Sequence, residues 1–218
     1  ATIGRRPSGP LARLGTRSSM HPRSDHQPLR IAVSFGVPWP TLASLLARQR
    51  AEEPQVPVRL CEVTLAEQLG GLEDGRYDGG LSLTDAPGSS LSALPLWRDE
   101  LALAVPARSP LLAFSEVPLA ETAQYPLVRW CTQACEPFSR LVDTLLREHA
   151  SYSQAAYARS YELMAVLVAA GYGVGFGAKS RLAASRKMDI VMRPLAGDRH
   201  PLTTYFLRAD SRMLAPVD

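Results

Sequence analysis

Residues able to carry chemistry are few in this chain, and they are scattered. The four histidines, His21, His26, His149 and His200, share no spacing that would build a metal site or a proton relay. Cys131 and Cys135 stand four positions apart, which fits neither a CxxC redox pair nor a four-ligand zinc set. Three cysteines cannot pair completely, and Cys61 lies in an apolar, strand-like run. A reducing compartment follows, with packing or pocket-lining roles for the thiols and a Cys131/Cys135 redox switch as the lesser alternative. No GxSxG or HExxH motif is present. The stretch GVGFGAKS superficially resembles a phosphate loop, but Ala178 breaks the adjacent Gly-Lys pair that the motif needs, so its glycines read better as a helix stop and a strand entry. These residues predict no enzyme, no cofactor and no metal ligand.

Chemistry of another kind belongs to helix N-termini, whose free N–H groups and positive dipole end favour a carboxylate. The chain is built to present them. From Leu29, the run LRIAV reads as a buried strand, and residues 41–51 as a helix with Leu42, Leu45 and Leu46 on one face, entered through Pro38 and Pro40. VPVRLCEV is a second strand. Thr64 and Glu67 form a capping box that opens a helix carrying Leu65, Leu69 and Leu72 and ending near Gly75. GGLSL is a third strand, and three strands joined by two such helices predict a parallel sheet with right-handed crossovers. After the strand from Leu101 to Val105 the same grammar restarts. PLVRW leads to a helix from about Pro137 to His149, and AAYAR to a helix over 161–170 with Leu163, Met164, Leu167 and Val168 inward, stopped at Gly171 before the strand VGF. TTYFLR alternates apolar and polar residues as a returning edge strand would.

Charge sharpens this picture once it is located. The 218 residues carry a formal +3, with 46% hydrophobic and 21% charged content. Arg5, Arg6, Arg13, Arg17 and Arg23 against Asp25 make residues 1–28 basic, which leaves the remainder slightly negative. The folded body therefore lacks the electrostatic footprint of a nucleic-acid binder. Residues 1–28, rich in Arg, Ser, Pro and Gly, predict a disordered basic leader or a remnant of something longer. They contain no apolar core of secretory length. The most apolar later stretch, 163–178, is too short and too glycine-broken to span a bilayer, so a cytoplasmic protein without a membrane partner is expected.

The segments LRIAVSFG, LARQRAEEPQVPVRLCEV, LEDGRYDGGLSL, PLWRDELALAVPARSPLL and ELMAVLVAAGYGVGFGAKS, in this order, resemble the effector-binding domain of LysR-type transcriptional regulators from about Leu29 to Ala209. The resemblance implies an α/β fold of two Rossmann-like lobes joined by two crossover strands, of the type II periplasmic-binding-protein kind. Lobe I would hold residues 29–100 and about 200–218, and lobe II residues 101–199, with an effector cleft between them. Nothing in residues 1–28 resembles the family's helix-turn-helix or linker helix, so DNA would be reached only through a domain absent from this chain. The family's final helix is expected to begin only at ADSRMLAPVD.

Resemblance and helix-end chemistry point to the same cleft residues. Lobe I offers Ser34, Phe35, Gly36, Val37 and Pro38, then Thr64 and Leu65, then Leu83 and Thr84. Lobe II offers Trp130, Cys131, Thr132 and Gln133, then Phe176 and Gly177. Thr64 has a second reading as a plain helix cap, and Trp130 and Phe176 as core aromatics. The implied partner is a small-molecule effector such as a carboxylate or aromatic acid. Relatives that sense aromatic-degradation intermediates include some with an Arg at the position of Leu83, and its loss leaves dipoles and hydroxyls to hold an anion. The family also implies a head-to-tail homodimer, a tetramer in the full-length protein, with Leu45 and Leu46 beside the partner's Leu145 and Leu146. Two alternatives remain: a dimerisation-only regulatory domain, and a solute-binding protein of the same fold.

Overall fold

A computed structural model describes residues 27–147, 153–185 and 188–210. Lobe I is built on β1 (Leu29–Ser34), α1 (Trp39–Glu52), β2 (Val58–Val63), α2 (Leu65–Glu73) and β3 (Gly79–Ser82). The strands lie in the order β2-β1-β3, all parallel, as the alternation predicts. α1 begins with Pro40 in its first turn, where a missing N–H costs nothing. At α2 the Thr64 hydroxyl accepts from the Glu67 N–H at 3.2 Å. Glu67 does not complete the box; its carboxylate accepts from the Tyr77 hydroxyl instead.

β4 (Leu91–Pro106) runs through both lobes. As far as Glu100 it pairs antiparallel with β9 (Pro201–Ala209); from Leu101 it pairs with β7 (Val174–Ala178) and from Ala102 also with β8 (Ile190–Pro194). The apolar run from Leu101 to Val105 is thus only the second half of a longer strand. β9 lies between β3 and β4, which corrects its expected place at a sheet edge: both of its faces meet core residues.

Lobe II continues with a single 3-10 turn at Pro110–Ala113, α3 (Leu119–Thr122), β5 (Leu127–Trp130), α4 (Glu136–Leu146), β6 (Gln154–Ala158), α5 (Tyr161–Ala169) and α6 (Lys179–Ala184). β5 lies between β6 and β7, parallel to both. The expected extension of α4 to His149 falls outside the described residues. α5 ends as foreseen, with Gly171 at φ +81 and the Tyr172 N–H donating to the Leu167 carbonyl. Its inward face differs from the expected one. Tyr161, Met164, Ala165 and Val168 are buried while Leu163 is 44% exposed, because the i, i+3, i+4, i+7 stripe starts on the Tyr rather than on the first Leu.

Candidate functional site

The seam between the lobes is closed tightly where β1 turns into α1. Ser34 is buried, and its hydroxyl donates to Ser82 Oγ at 3.2 Å, which in turn accepts from the Thr84 N–H. Phe35 and Leu83 pack against the lobe II core. The Cys135 thiol, at the start of α4, donates to the Phe35 carbonyl at 2.8 Å. Gly36, at φ +94, passes so close that a Cβ there would stand 2.5 Å from Cys135 Sγ, so sterics and backbone both demand glycine. Val37 and Pro38 are buried behind it. Burial pushes the Cys135 thiol up to about 12, which keeps it protonated and unreactive.

Beside this closure the seam opens into a recess of about 510 Å³. Its walls are Leu83 to Ala86 after β3, the α4 face of Pro137, Arg140, Leu141 and Thr144, and β9 from Pro201 to Thr203 with Tyr205. The volume suits a small organic molecule, and apolar walls alternate with hydroxyls, the carboxylate of Asp85 and one guanidinium, that of Arg140, tied to Glu136 at 2.5 Å. Of the residues expected from sequence, Leu83 and Thr84 line it. Arg140, Thr144, Thr203 and Tyr205, absent from the sequence expectation, line it as well. Period-2 alternation on β9 could have suggested the last two, whereas α4's outer face carries no local mark of a partner.

The other expected residues stand elsewhere. Thr64 caps α2, and Leu65 is half-buried beside it. Cys131, Thr132 and Gln133 form the turn before α4, with the Cys131 N–H donating to the Ala158 carbonyl and Thr132 and Gln133 exposed. Trp130 and Phe176 are core residues of lobe II. The Trp130 indole N–H donates to the Phe176 carbonyl at 3.0 Å, and its ring meets Phe138 edge-on with centroids 5.7 Å apart. Gly177 follows within buried β7. Among the interface leucines, Leu45 is 43% exposed, Leu46 and Leu145 pack partly on their own lobes, and Leu146 belongs to the lobe II core.

A second contact across the seam has no signature in the sequence. α6 packs on α1, and Arg181, with a side chain only 15% exposed, sets its guanidinium carbon 4.1 Å from the Tyr161 ring centroid and 5.2 Å from that of Trp39. Burial lowers the basicity of this cation, and nearby Glu162, Tyr161 and Glu62 work against that shift. Where β4 crosses between lobes, Asp99 accepts from the Ser180 hydroxyl and N–H at the start of α6. Glu100 is gripped by Lys179 at 2.6 Å and Arg199 at 2.8 Å, which holds its carboxyl below the usual range. Among the described residues no group of three His, Cys, Asp or Glu side chains is placed to hold a metal ion, and no helix is long and apolar enough to cross a membrane.

Two α/β lobes thus share the long strand β4, and the N-terminal ends of α1 and α4 meet at their seam. The family model of the LysR substrate binding domain matches residues 22–217, and the chain belongs to that family. It is 25% identical over 185 residues to a probable cat1 operon transcriptional activator of Acinetobacter lwoffii, covering 84% of this chain and 59% of that protein's length. The effector-binding domain of QuiR in complex with shikimate has the same fold, with a TM-score of 0.75 at 17% identity over 88% of this chain and 91% of the other. So has the BenM effector-binding domain with its effector benzoate, at TM-score 0.75 and 20% identity over 84% of this chain and 83% of that one.

Proposed function

We propose that this chain is the sensing part of a LysR-type transcription regulator: it binds a small-molecule effector between its lobes and passes the resulting change to the geometry of an oligomer. The observation that carries this reading is the recess of about 510 Å³ at the seam, walled by both lobes and by β9. An occupant there touches α4 of lobe II and the Leu83–Ala86 turn of lobe I together, so its binding depends on their relative placement. The effector class that fits is a small carboxylate or aromatic acid, with Arg140 or a helix N-terminus meeting the charge and the hydroxyls of Thr84, Thr144 and Thr203 orienting the ring. Benzoate and shikimate, bound by the two structural relatives, are the first compounds to try. Head-to-tail dimerisation through α1 and α4, with DNA contacted by a separate domain in the cytoplasm, completes the proposal. The domain acts by binding and catalyses nothing.

A thermal-shift screen of small carboxylates and aromatic acids tests it, because a ligand of the native state raises the melting temperature by mass action. For any hit, Thr84→Val should weaken affinity by about one hydrogen bond, roughly 0.5–1.5 kcal/mol. If Thr132→Val weakens it and Thr84→Val does not, the ligand sits at the α4 N-terminus rather than in the recess. No hit across a broad library favours a dimerisation-only domain.

A further inference from the structure

We propose that Arg181 is a positioning residue, a cationic latch through which lobe II grips the N-terminal end of α1 and sets the closed spacing of the cleft. This inference needs no effector. A guanidinium taken out of water must be compensated, and among the described residues Arg181 has one carboxylate in ion-pair range, Glu162 at 3.5 Å. That carboxylate is 69% exposed and belongs to lobe II, so it holds nothing across the seam. The compensation is completed by aromatic faces on either side: Tyr161 of lobe II at 4.1 Å and Trp39 of lobe I at 5.2 Å. Glu62, at the end of β2 in lobe I, adds attraction of the same sense.

The pair is asymmetric in a telling way. Tyr161 is buried in the lobe II core, with its hydroxyl fixed by Ser185 at 2.7 Å, so Arg181 is stacked on a rigid platform. Trp39 is 50% exposed, and the cation is a specific partner for its ring. Separating the lobes leaves Arg181 on Tyr161 but strips it of Trp39 and Glu62. The latch therefore acts on the relative position of the lobes rather than on the folding of either one. Because Trp39 opens α1, any movement of lobe II is delivered to the helix whose outer surface carries Leu45.

The test measures lobe spacing directly. Spin labels are placed at exposed Ser89 in lobe I and exposed Ser115 in lobe II, each changed to Cys, with Cys61 and Cys131 replaced by Ser and buried Cys135 kept. Labelled protein is diluted with unlabelled protein, and the distance distribution is read by double electron–electron resonance without ligand. Arg181→Ala and Trp39→Ala should each shift the distribution to longer distances and broaden it, while Trp39→Phe, which keeps an aromatic face, should restore most of the parent distribution. If both alanine variants keep the parent distribution, the proposal is overturned, even if their melting temperatures fall. Should Arg181→Ala not fold, Trp39→Ala, at a half-exposed site, decides alone.

Discussion

The two lobes are built alike from strand and helix but are held together differently. Lobe II has one continuous apolar core, which begins at Leu101 and also takes in Leu202 of β9, and in which Leu103, Leu127, Met164 and Phe176 are fully enclosed. Lobe I divides its apolar residues between the two faces of its sheet: Ile31, Val33, Val37, Leu42 and Leu81 on the α1 side, and Leu72, Leu91 and Leu207 on the α2 side. Polar ties make up the difference. Gln68 is fully buried in α2 and donates through Nε2 to the carbonyls of Ala32 and Leu81, joining β1 to β3. Arg30 grips Asp78 through both guanidinium and backbone N–H. Fewer buried apolar contacts lower the cost of local opening, so lobe I is expected to open more readily than lobe II. Phe35 and Leu83 of lobe I borrow the lobe II core, so the seam itself belongs energetically to lobe II.

The difference can be broken first by cavity formation. Phe176→Ala should cost about 3–5 kcal/mol, against about 2 kcal/mol for Leu42→Ala in the smaller lobe I core, both read from urea unfolding. Equal losses would erase the distinction between the cores. A smaller effect is expected from Thr64→Ala, which removes the α2 cap at a cost of about 1 kcal/mol. Because α2 covers the thin side of lobe I, this loss should appear in hydrogen exchange of α2 and β3 and leave β5 and β7 unchanged. Uniform exchange throughout the chain would contradict separate responses of the lobes.

The smallest effect is one of pH. The Arg30 guanidinium and N–H hold the Asp78 carboxyl below its usual range. Its contribution is therefore fully present above the unfolded-chain value of about 3.9 and lost as pH falls through the lower folded value. Asp78→Asn should lower the urea midpoint slightly at pH 7, and this gap should shrink toward pH 2.5. For Phe176→Ala the gap should stay constant over the same range. An Asp78→Asn gap that does not change with pH would remove the charge from the account of lobe I.

The legible parts of the fold were those with a local signature. The Thr64 cap, the proline entry to α1 and the Gly171 stop all stand where turn chemistry placed them. Only the second half of β4 is legible in the sequence, because Leu94 and Leu96 are exposed and Pro95 interrupts the ladder near a register shift, so LSALPLWRDE lacks the alternation of a half-buried strand. The polar residues of β9 point to a solvent-facing edge. Thr204 is instead enclosed, and both neighbouring strands pair with it. Leucine spacing alone points Leu163 inward, but the buried stripe begins on Tyr161 and leaves Leu163 exposed.

The amino-acid sequence by itself determined the alternation of strand and helix, the two-lobed family fold and the set of helix ends that could face a ligand. Periodicity and capping act within a few residues and survive without their surroundings. The tertiary structure decided which ends are open. It sealed Phe35 against Cys135, 100 residues away, left Leu83 and Thr84 on a recess with Arg140 and Tyr205, and brought Arg181 over Trp39. Those meetings depend on how two separately packed cores sit against each other, and no local pattern in either segment encodes that placement.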